Sequence, residues 1–239
     1  MRETTNISAI ILNRCAFKEC DTRVTLYSPE MGKLELVARG TKKLKSKLAG
    51  HLEPITLSEI MIVPGKQFDY IGTADSSDSF INIKNDLDKL VLAGKAIGIF
   101  NSLVKEGEKD GGIFRLLLDF FNFLNKKDLR IKHPEFFYNF FIYKLLSGLG
   151  YGLDCHDCSL CGTEIIDGGI FDYEKGGISC KKCADKTRIN NSIAVSAESI
   201  RIFVMASEEN FDCLIGFEAD KKHLDGYNKA VKAFFEYNF

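Results

Sequence analysis

The 239-residue chain lacks the roughly 18 to 20 consecutive apolar residues that a membrane span requires. Its N-terminus, Met1-Arg2-Glu3-Thr4-Thr5-Asn6, opens no apolar core of the kind a signal peptide carries. Both absences point to the cytoplasm, where thiols stay reduced and paired cysteines mean metal more often than disulfide. Histidine is scarce, at four residues. His51, His133, His156 and His223 are scattered and form no His-Glu-x-x-His helix. A Gly-x-Ser-x-Gly elbow and a Walker-type phosphate loop are also missing, so the common hydrolase and nucleotidase signatures are excluded. Net charge is nearly absent too, at −1. A uniformly basic nucleic-acid binder is therefore ruled out, but a locally basic one is not. Residues 1–50 hold ten Lys/Arg against five Asp/Glu, a net of +5, which leaves −6 for the rest.

Cysteine is present in a patterned form. Cys158-Ser159-Leu160-Cys161 and Cys180-Lys181-Lys182-Cys183 are two Cys-x-x-Cys hooks at zinc-ribbon separation. Each hook directs two thiolates at one point, and two hooks close a tetrahedron of sulfur around Zn²⁺. Gly162 follows the first hook, and Gly176-Gly177 precede the second where a hairpin could turn. Cys155 and Cys158 form a Cys-x-x-Cys as well, so the first hook is either 155/158 or 158/161, with Cys155 and His156 as spare donors. A closed four-cysteine site is expected to be structural, because catalytic zinc keeps a position for water. One structural Zn²⁺ per chain is the expectation, held by Cys158, Cys161, Cys180 and Cys183. Cys15, Cys20 and Cys213 stand alone and read as small packed hydrophobes.

The first 75 residues alternate apolar and polar side chains in five short runs, at 7–14, 22–28, 33–39, 55–63 and 68–73. Five such strands predict a small closed barrel, since closure removes exposed edges. The loop from Arg39 to Pro54 carries Arg39, Lys42, Lys43, Lys45 and Lys47 with no acid before Glu53. Long flexible cations on a loop suit phosphate contacts, and Arg14 and Arg23 are weaker candidates for the same role. Tyr27, Phe68 and Tyr70 are the nearby aromatics, read as barrel core rather than stacking platforms. Asp75–Asp78 reads as a polar linker. Helical periods follow over 86–105, 113–124 and 135–149, the last apolar almost all round and so expected to be buried. After the cysteine segment, Ser196 can cap one helix, and residues 221–237 form another. Both are expected to rejoin the earlier helices, making the cysteine module an insertion. The predicted class is α+β: a barrel (1–78), a helical domain (79–152), a zinc module (153–190) and C-terminal helices completing the helical domain (191–239).

This order of parts resembles the RecO family of bacterial recombination mediators. The local matches are Gly32-Lys33-Leu34, Val37-Ala38-Arg39-Gly40, Ser46-Lys47-Leu48-Ala49-Gly50-His51-Leu52-Glu53-Pro54, Leu149-Gly150-Tyr151, the Cys158-x-x-Cys161-Gly162 hook and Gly176-Gly177-Ile178-Ser179-Cys180. The resemblance implies that the barrel is an oligonucleotide-binding (OB) fold and that the protein binds single- and double-stranded DNA and anneals complementary strands. It also implies partnership with RecR and with the C-terminal tail of single-stranded DNA-binding protein, indirect service to RecA, and a bacterial cytoplasmic, nucleoid-associated location. Members often carry Arg-Phe-Glu-Leu where this chain has Phe140-Phe141-Ile142-Tyr143. Two rivals stand beside a non-enzymatic DNA mediator. One is an RNA-processing or RNA-modifying enzyme using the zinc ribbon for grip, which needs a catalytic constellation absent from the sequence. The other is a protein-interaction adaptor with incidental DNA contact.

Overall fold

The computed structural model describes residues 3–153, 155–187 and 189–239. Met1 and Arg2, which open the N-terminal stretch considered above, lie outside the described residues, as do Asp154 and Arg188. The chain forms two compact units, Met1–Leu129 and Arg130–Phe239. The boundary falls within the segment 79–152 that the sequence groups as one helical domain. Among the described residues no helix is long and apolar enough to cross a membrane.

In the first unit, strands β1 (Thr5–Phe17), β2 (Asp21–Ser28), β3 (Gly32–Ala38), β4 (Thr56–Val63) and β5 (Tyr70–Asp78) close a barrel in the order β1-β2-β3-β5-β4. β1 is long enough to pair with β2 along one half and with β4 along the other. Closure comes from a parallel pairing of Val37 on β3 with Tyr70 on β5, supported by the Val37 N–H donating to Asp69 O at 3.0 Å. The alternating residues Ile7, Ala9 and Ile11, Val24 and Leu26, Ile60 and Ile62, together with Leu36, Ala38 and Ile71, fill its interior. This five-stranded arrangement is the OB fold. Asp75–Asp78 is no linker: it completes β5, with Asp75 opposite Glu59 and Ser76 opposite Ser58. The pairing runs through backbone groups, which polar composition does not report.

Helices α1 (Ile81–Lys84), α2 (Leu87–Leu103) and α3 (Gly111–Leu124) belong to the same unit. Asp86 and Asp110 cap α2 and α3 by accepting N–H bonds from their first turns. α2 and α3 pack against the outer side of β2 and β3. Tyr27, fully buried, meets the Phe100 ring edge-on at 5.0 Å and stacks on Phe114 at 6.5 Å. Lys33 donates through Nζ to the carbonyls of Asn101 and Val104, satisfying the orphan end of α2. Burial holds the Tyr27 hydroxyl up at about 12 and pushes the Lys33 amine below its usual value.

The second unit is built on α4 (Pro134–Gly148), which starts on a proline at its first position and is buried nearly all round, as its composition predicts. It packs with α6 (Ala197–Glu208) and α7 (Lys221–Asn238) through Phe136–Tyr227 and Tyr143–Phe203 contacts. A buried Asn139–Asn228 bond of 2.9 Å lies between α4 and α7. Ser196 caps α6 as expected, accepting from Ser199 N–H at 3.1 Å. Strands β6 (Gly169–Asp172), β7 (Gly177–Cys180) and β8 (Ser192–Val195) form a small sheet in the order β7-β6-β8, and α5 (Lys181–Lys186) follows β7.

Candidate nucleic-acid face and thiol cluster

The basic loop leaves the barrel at the end of β3, and its backbone is tied down at both ends. Gly40 takes a left-handed φ of 67° and donates to Asp21 Oδ1 at 2.9 Å. Thr41 is buried and shares a 2.9 Å hydroxyl bond with Thr22, while Lys42 N–H donates to Cys20 O at 3.1 Å. On the return, the Arg14 guanidinium donates to Ala49 O at 3.2 Å and pairs with Glu53 at 2.5 Å. Ser76 N–H donates to His51 Nδ1 at 3.0 Å, and Ser58 Oγ to His51 O at 2.7 Å. Backbone and short side chains thus hold the loop, while the side chains of Arg39, Lys42, Lys43, Lys45 and Lys47 are exposed. Leu44, among them, is fully exposed. Five cations on a fixed frame make a local positive field on a chain with almost no net charge.

The two weaker candidates differ from these five. Arg14 pairs with Glu53 and braces the loop, and Arg23 pairs with Glu35 at 3.2 Å. Neither pair is fully buried, so neither adds much stability.

The aromatics also depart from expectation. None of the three is barrel core: Tyr27 is buried between the barrel and α2 and α3, and Phe68 and Tyr70 are half-buried. Phe17, which the alternating pattern does not single out, meets Phe68 edge-on at 5.4 Å. The Arg23 guanidinium lies over Phe17 at 4.7 Å, and that of Arg39 over Tyr70 at 3.8 Å. The register explains the omission. A bulge between Ile11 and Asn13 shifts the alternation of β1, so Cys15 faces Arg23 and Phe17 faces Asp21 across β2. The same shift exposes Cys15, which is therefore not a packed hydrophobe; Cys20 and Cys213 are partly covered.

In the second unit Cys158, Cys161, Cys180 and Cys183 bring their sulfurs within 4.8 Å of one another. Gly162, at φ 67°, lets the knuckle turn, and its N–H returns to Cys158 O at 2.8 Å. The hairpin of β6 and β7 carries Cys180 to the first hook, where its N–H donates to Cys158 Sγ at 3.3 Å. A tetrahedral Zn–S₄ centre sets its sulfurs roughly 3.8 Å apart; Cys161 and Cys180 Sγ stand at 4.0 Å. The donor chemistry and spacing fit a metal ion, and these four thiols could hold one. Burial raises the Cys158 thiol, but bonds from the backbone N–H of Cys180, Leu160 and Cys161 outweigh it and set the thiol near about 6. Cys183, hydrogen-bonded to the Cys161 and Cys180 thiols, is pushed up to about 12. Four thiols sharing one point compete to keep their protons, a conflict that a divalent cation removes. Cys155 lies outside the cluster: it is buried beside Tyr227, and His156 bonds Ser207 at 2.9 Å. The cluster therefore uses the 158/161 hook.

A five-stranded OB barrel with a cationic loop, followed in the chain by a helical unit bearing a four-thiol cluster, defines a class of two-unit OB-fold proteins rather than one activity. Comparison with known proteins narrows it. The model described as "Recombination protein O N terminal" matches residues 1–80, and "Recombination protein O C terminal" matches residues 84–239. "DNA repair protein RecO" of Desulforamulus reducens is 33% identical over 179 residues, covering 74% of this chain and 68% of the relative. The proteins of the same name from Acetivibrio thermocellus and Dehalococcoides mccartyi are 26% and 27% identical, over 95% and 94% of this chain and 88% and 87% of their own lengths. The chain belongs to the RecO family.

Proposed function

We propose that this protein works in DNA repair as a non-enzymatic mediator that binds single- and double-stranded DNA and anneals complementary strands. The observation that carries this reading is the set of Arg39, Lys42, Lys43, Lys45 and Lys47, exposed on a loop whose backbone is pinned to an OB barrel. Long cations on a fixed frame neutralise phosphates without ordering the loop anew on each encounter, which lowers the entropy cost of binding. Screening two strands at one surface reduces their repulsion and favours pairing. Arg14 and Arg23 contribute less, since each already faces a carboxylate.

Family membership supports the further reading that the protein acts with RecR and the C-terminal tail of single-stranded DNA-binding protein, and so helps load RecA on coated single strands in the bacterial cytoplasm. The division of labour assigns DNA to residues 1–78 and a metal module to residues 153–190, which α4, α6 and α7 of the same unit frame. Cys158, Cys161, Cys180 and Cys183 hold one structural Zn²⁺ that clamps this module.

The test is a salt series of binding to a labelled single strand and its duplex, with annealing followed by the isolated protein. Log affinity falls against log salt by about 0.7 per neutralised phosphate on single strand and about 0.9 on duplex. Affinity that ignores salt, or no annealing, overturns the reading.

A further inference from the structure

The outer face of β2 and β3 is divided. Tyr27 and Lys33, opposite one another in the register, lie under α2 and α3, as their contacts with Phe100, Phe114 and the end of α2 show. Four residues along β2, on the same face, Arg23 is half-buried and paired with Glu35 on β3. Arg23 aligns with Cys15 on β1 and with Val37 on β3, and Val37 aligns with Tyr70 on β5. Phe17 stands two residues beyond Cys15 on the same face of β1, and Arg39, just past the end of β3, lies over the Tyr70 ring. With Phe68 of the β4–β5 turn against Phe17 and Arg23, and Arg39 over Tyr70, the residues Phe17, Arg23, Phe68, Tyr70 and Arg39 form one row beside the root of the basic loop.

The row alternates rings and guanidinium groups. Arg23 lies 4.7 Å over Phe17 and 6.0 Å from Phe68, and Arg39 lies 3.8 Å over Tyr70. The turn between β4 and β5 fixes two of the rings. Gly65 N–H donates to Asp69 Oδ1 at 3.1 Å, and a Cβ at Gly65 would stand 2.6 Å from the Tyr70 ring, so only glycine allows this approach. All three rings are half-buried. Rings needed only for the core would be covered, and lysine-rich phosphate contact alone would not need them.

We propose that this row is a base-stacking site for single-stranded DNA, and that it sets the preference for unpaired over paired strands. The inference rests on the DNA-binding reading above and deepens it. Bases in a duplex stack on each other and present only their edges in the grooves, so an aromatic or guanidinium plane can accept only an unstacked base. The loop lysines meet phosphates, which both forms display. Two kinds of contact thus separate strand form from charge: the row discriminates, and the loop attracts.

The experiment measures affinity for an oligothymidylate and for a duplex of equal length across a salt series. It uses the full chain and the variants Phe17→Leu, Phe68→Leu and Tyr70→Leu, singly and together. Leucine keeps apolar volume but removes the ring, and a thermal melt of each variant confirms folding. The expected result is a loss on the order of tenfold or more in single-strand affinity for the triple variant, with duplex affinity changed less than about threefold. Its salt slope stays that of the wild type, because no phosphate contact is lost. Unchanged single-strand affinity in the folded triple variant overturns the proposal, as do equal losses on both forms. Wild-type protein that binds neither form overturns the DNA-binding reading itself, which these variants leave distinguishable.

Discussion

The two units meet the same difficulty, a small sheet with exposed edges, in different ways. In the first, five strands close on themselves, β1 serving both β2 and β4 and β3 meeting β5. Closure leaves every strand paired on both sides and encloses an apolar interior. In the second, β6, β7 and β8 are four residues each, with β7 and β8 as edges. So small a sheet is not stable alone. Phe171 anchors it, stacking on Phe203 at 5.5 Å and meeting Phe234 at 6.4 Å, while the thiol cluster draws Cys180 and Cys183 to the hook at 158/161. The comparison separates a surface that is ready once the chain folds from a module whose order depends on contributions outside its own strands. The cationic loop is borne by the first kind of scaffold, where its charges add little load to a core that is already complete.

Four perturbations break or sharpen this contrast. The largest effect is expected from reversing Lys42, Lys43, Lys45 and Lys47 to Glu together. DNA affinity falls by on the order of a hundredfold or more at moderate salt, while both units melt as in the wild type, because these side chains are exposed. A titration with a labelled oligonucleotide beside a thermal melt checks both halves, and an unchanged affinity removes the loop from the site.

Next is the proposed metal clamp. Cys158→Ser, or a strong chelator, lowers the bound zinc from about one per chain and unfolds the module, since metal binding and folding of such a module are coupled. The barrel, which holds no part of the cluster, keeps its unfolding transition. Acid acts in the same direction: bound thiolates must be deprotonated, so metal leaves as pH falls, followed by elemental analysis of dialysed samples. A variant that keeps its zinc, or loses it without any change in the second unit, contradicts the clamp.

Smaller is Asn139→Ala, which leaves the buried Asn228 Oδ1 without its 2.9 Å donor. The cost is about 1–3 kcal/mol, read by denaturant unfolding and confined to the second unit. Smallest is Tyr27→Phe, which removes a 3.2 Å bond to Asp110 O but keeps the ring against Phe100. It costs about 0.5–1.5 kcal/mol at neutral pH. The Tyr27 hydroxyl is held at about 12, chiefly by burial, against an ordinary value of 10.0. Its contribution is complete below pH 10 and is lost as pH rises through 12, so the phenylalanine variant should show a shallower alkaline loss in the first unit.

Much of this was open to reading from residue order. Alternation marked five strands in nearly their observed places, and an all-apolar helix at 135–149 became the buried α4. Where reading went astray, a distant partner had decided the matter. Asp75–Asp78 looked like a linker because its residues are polar, yet β4 pairs with it. Phe68 and Tyr70 looked like core because they are aromatic, yet guanidinium groups from β2 and the end of β3 lie over them. Cys15 looked like a packed hydrophobe and Phe17 drew no reading, yet one bulge turns the faces of β1 and sets both with the outer face of β2.

By itself, then, the sequence determined what depends on near neighbours: strand and helix periods, the density of cations between Arg39 and Lys47, and two thiol pairs spaced to grip a metal. Tertiary structure alone decided that the thiol cluster uses Cys158 with Cys161 rather than with Cys155, that Arg14 braces the loop, and that rings from β1, β5 and the β4–β5 turn meet two guanidinium groups. Such meetings depend on strand register and closure. Those are fixed by the whole barrel's packing at once, and no window of the chain contains them.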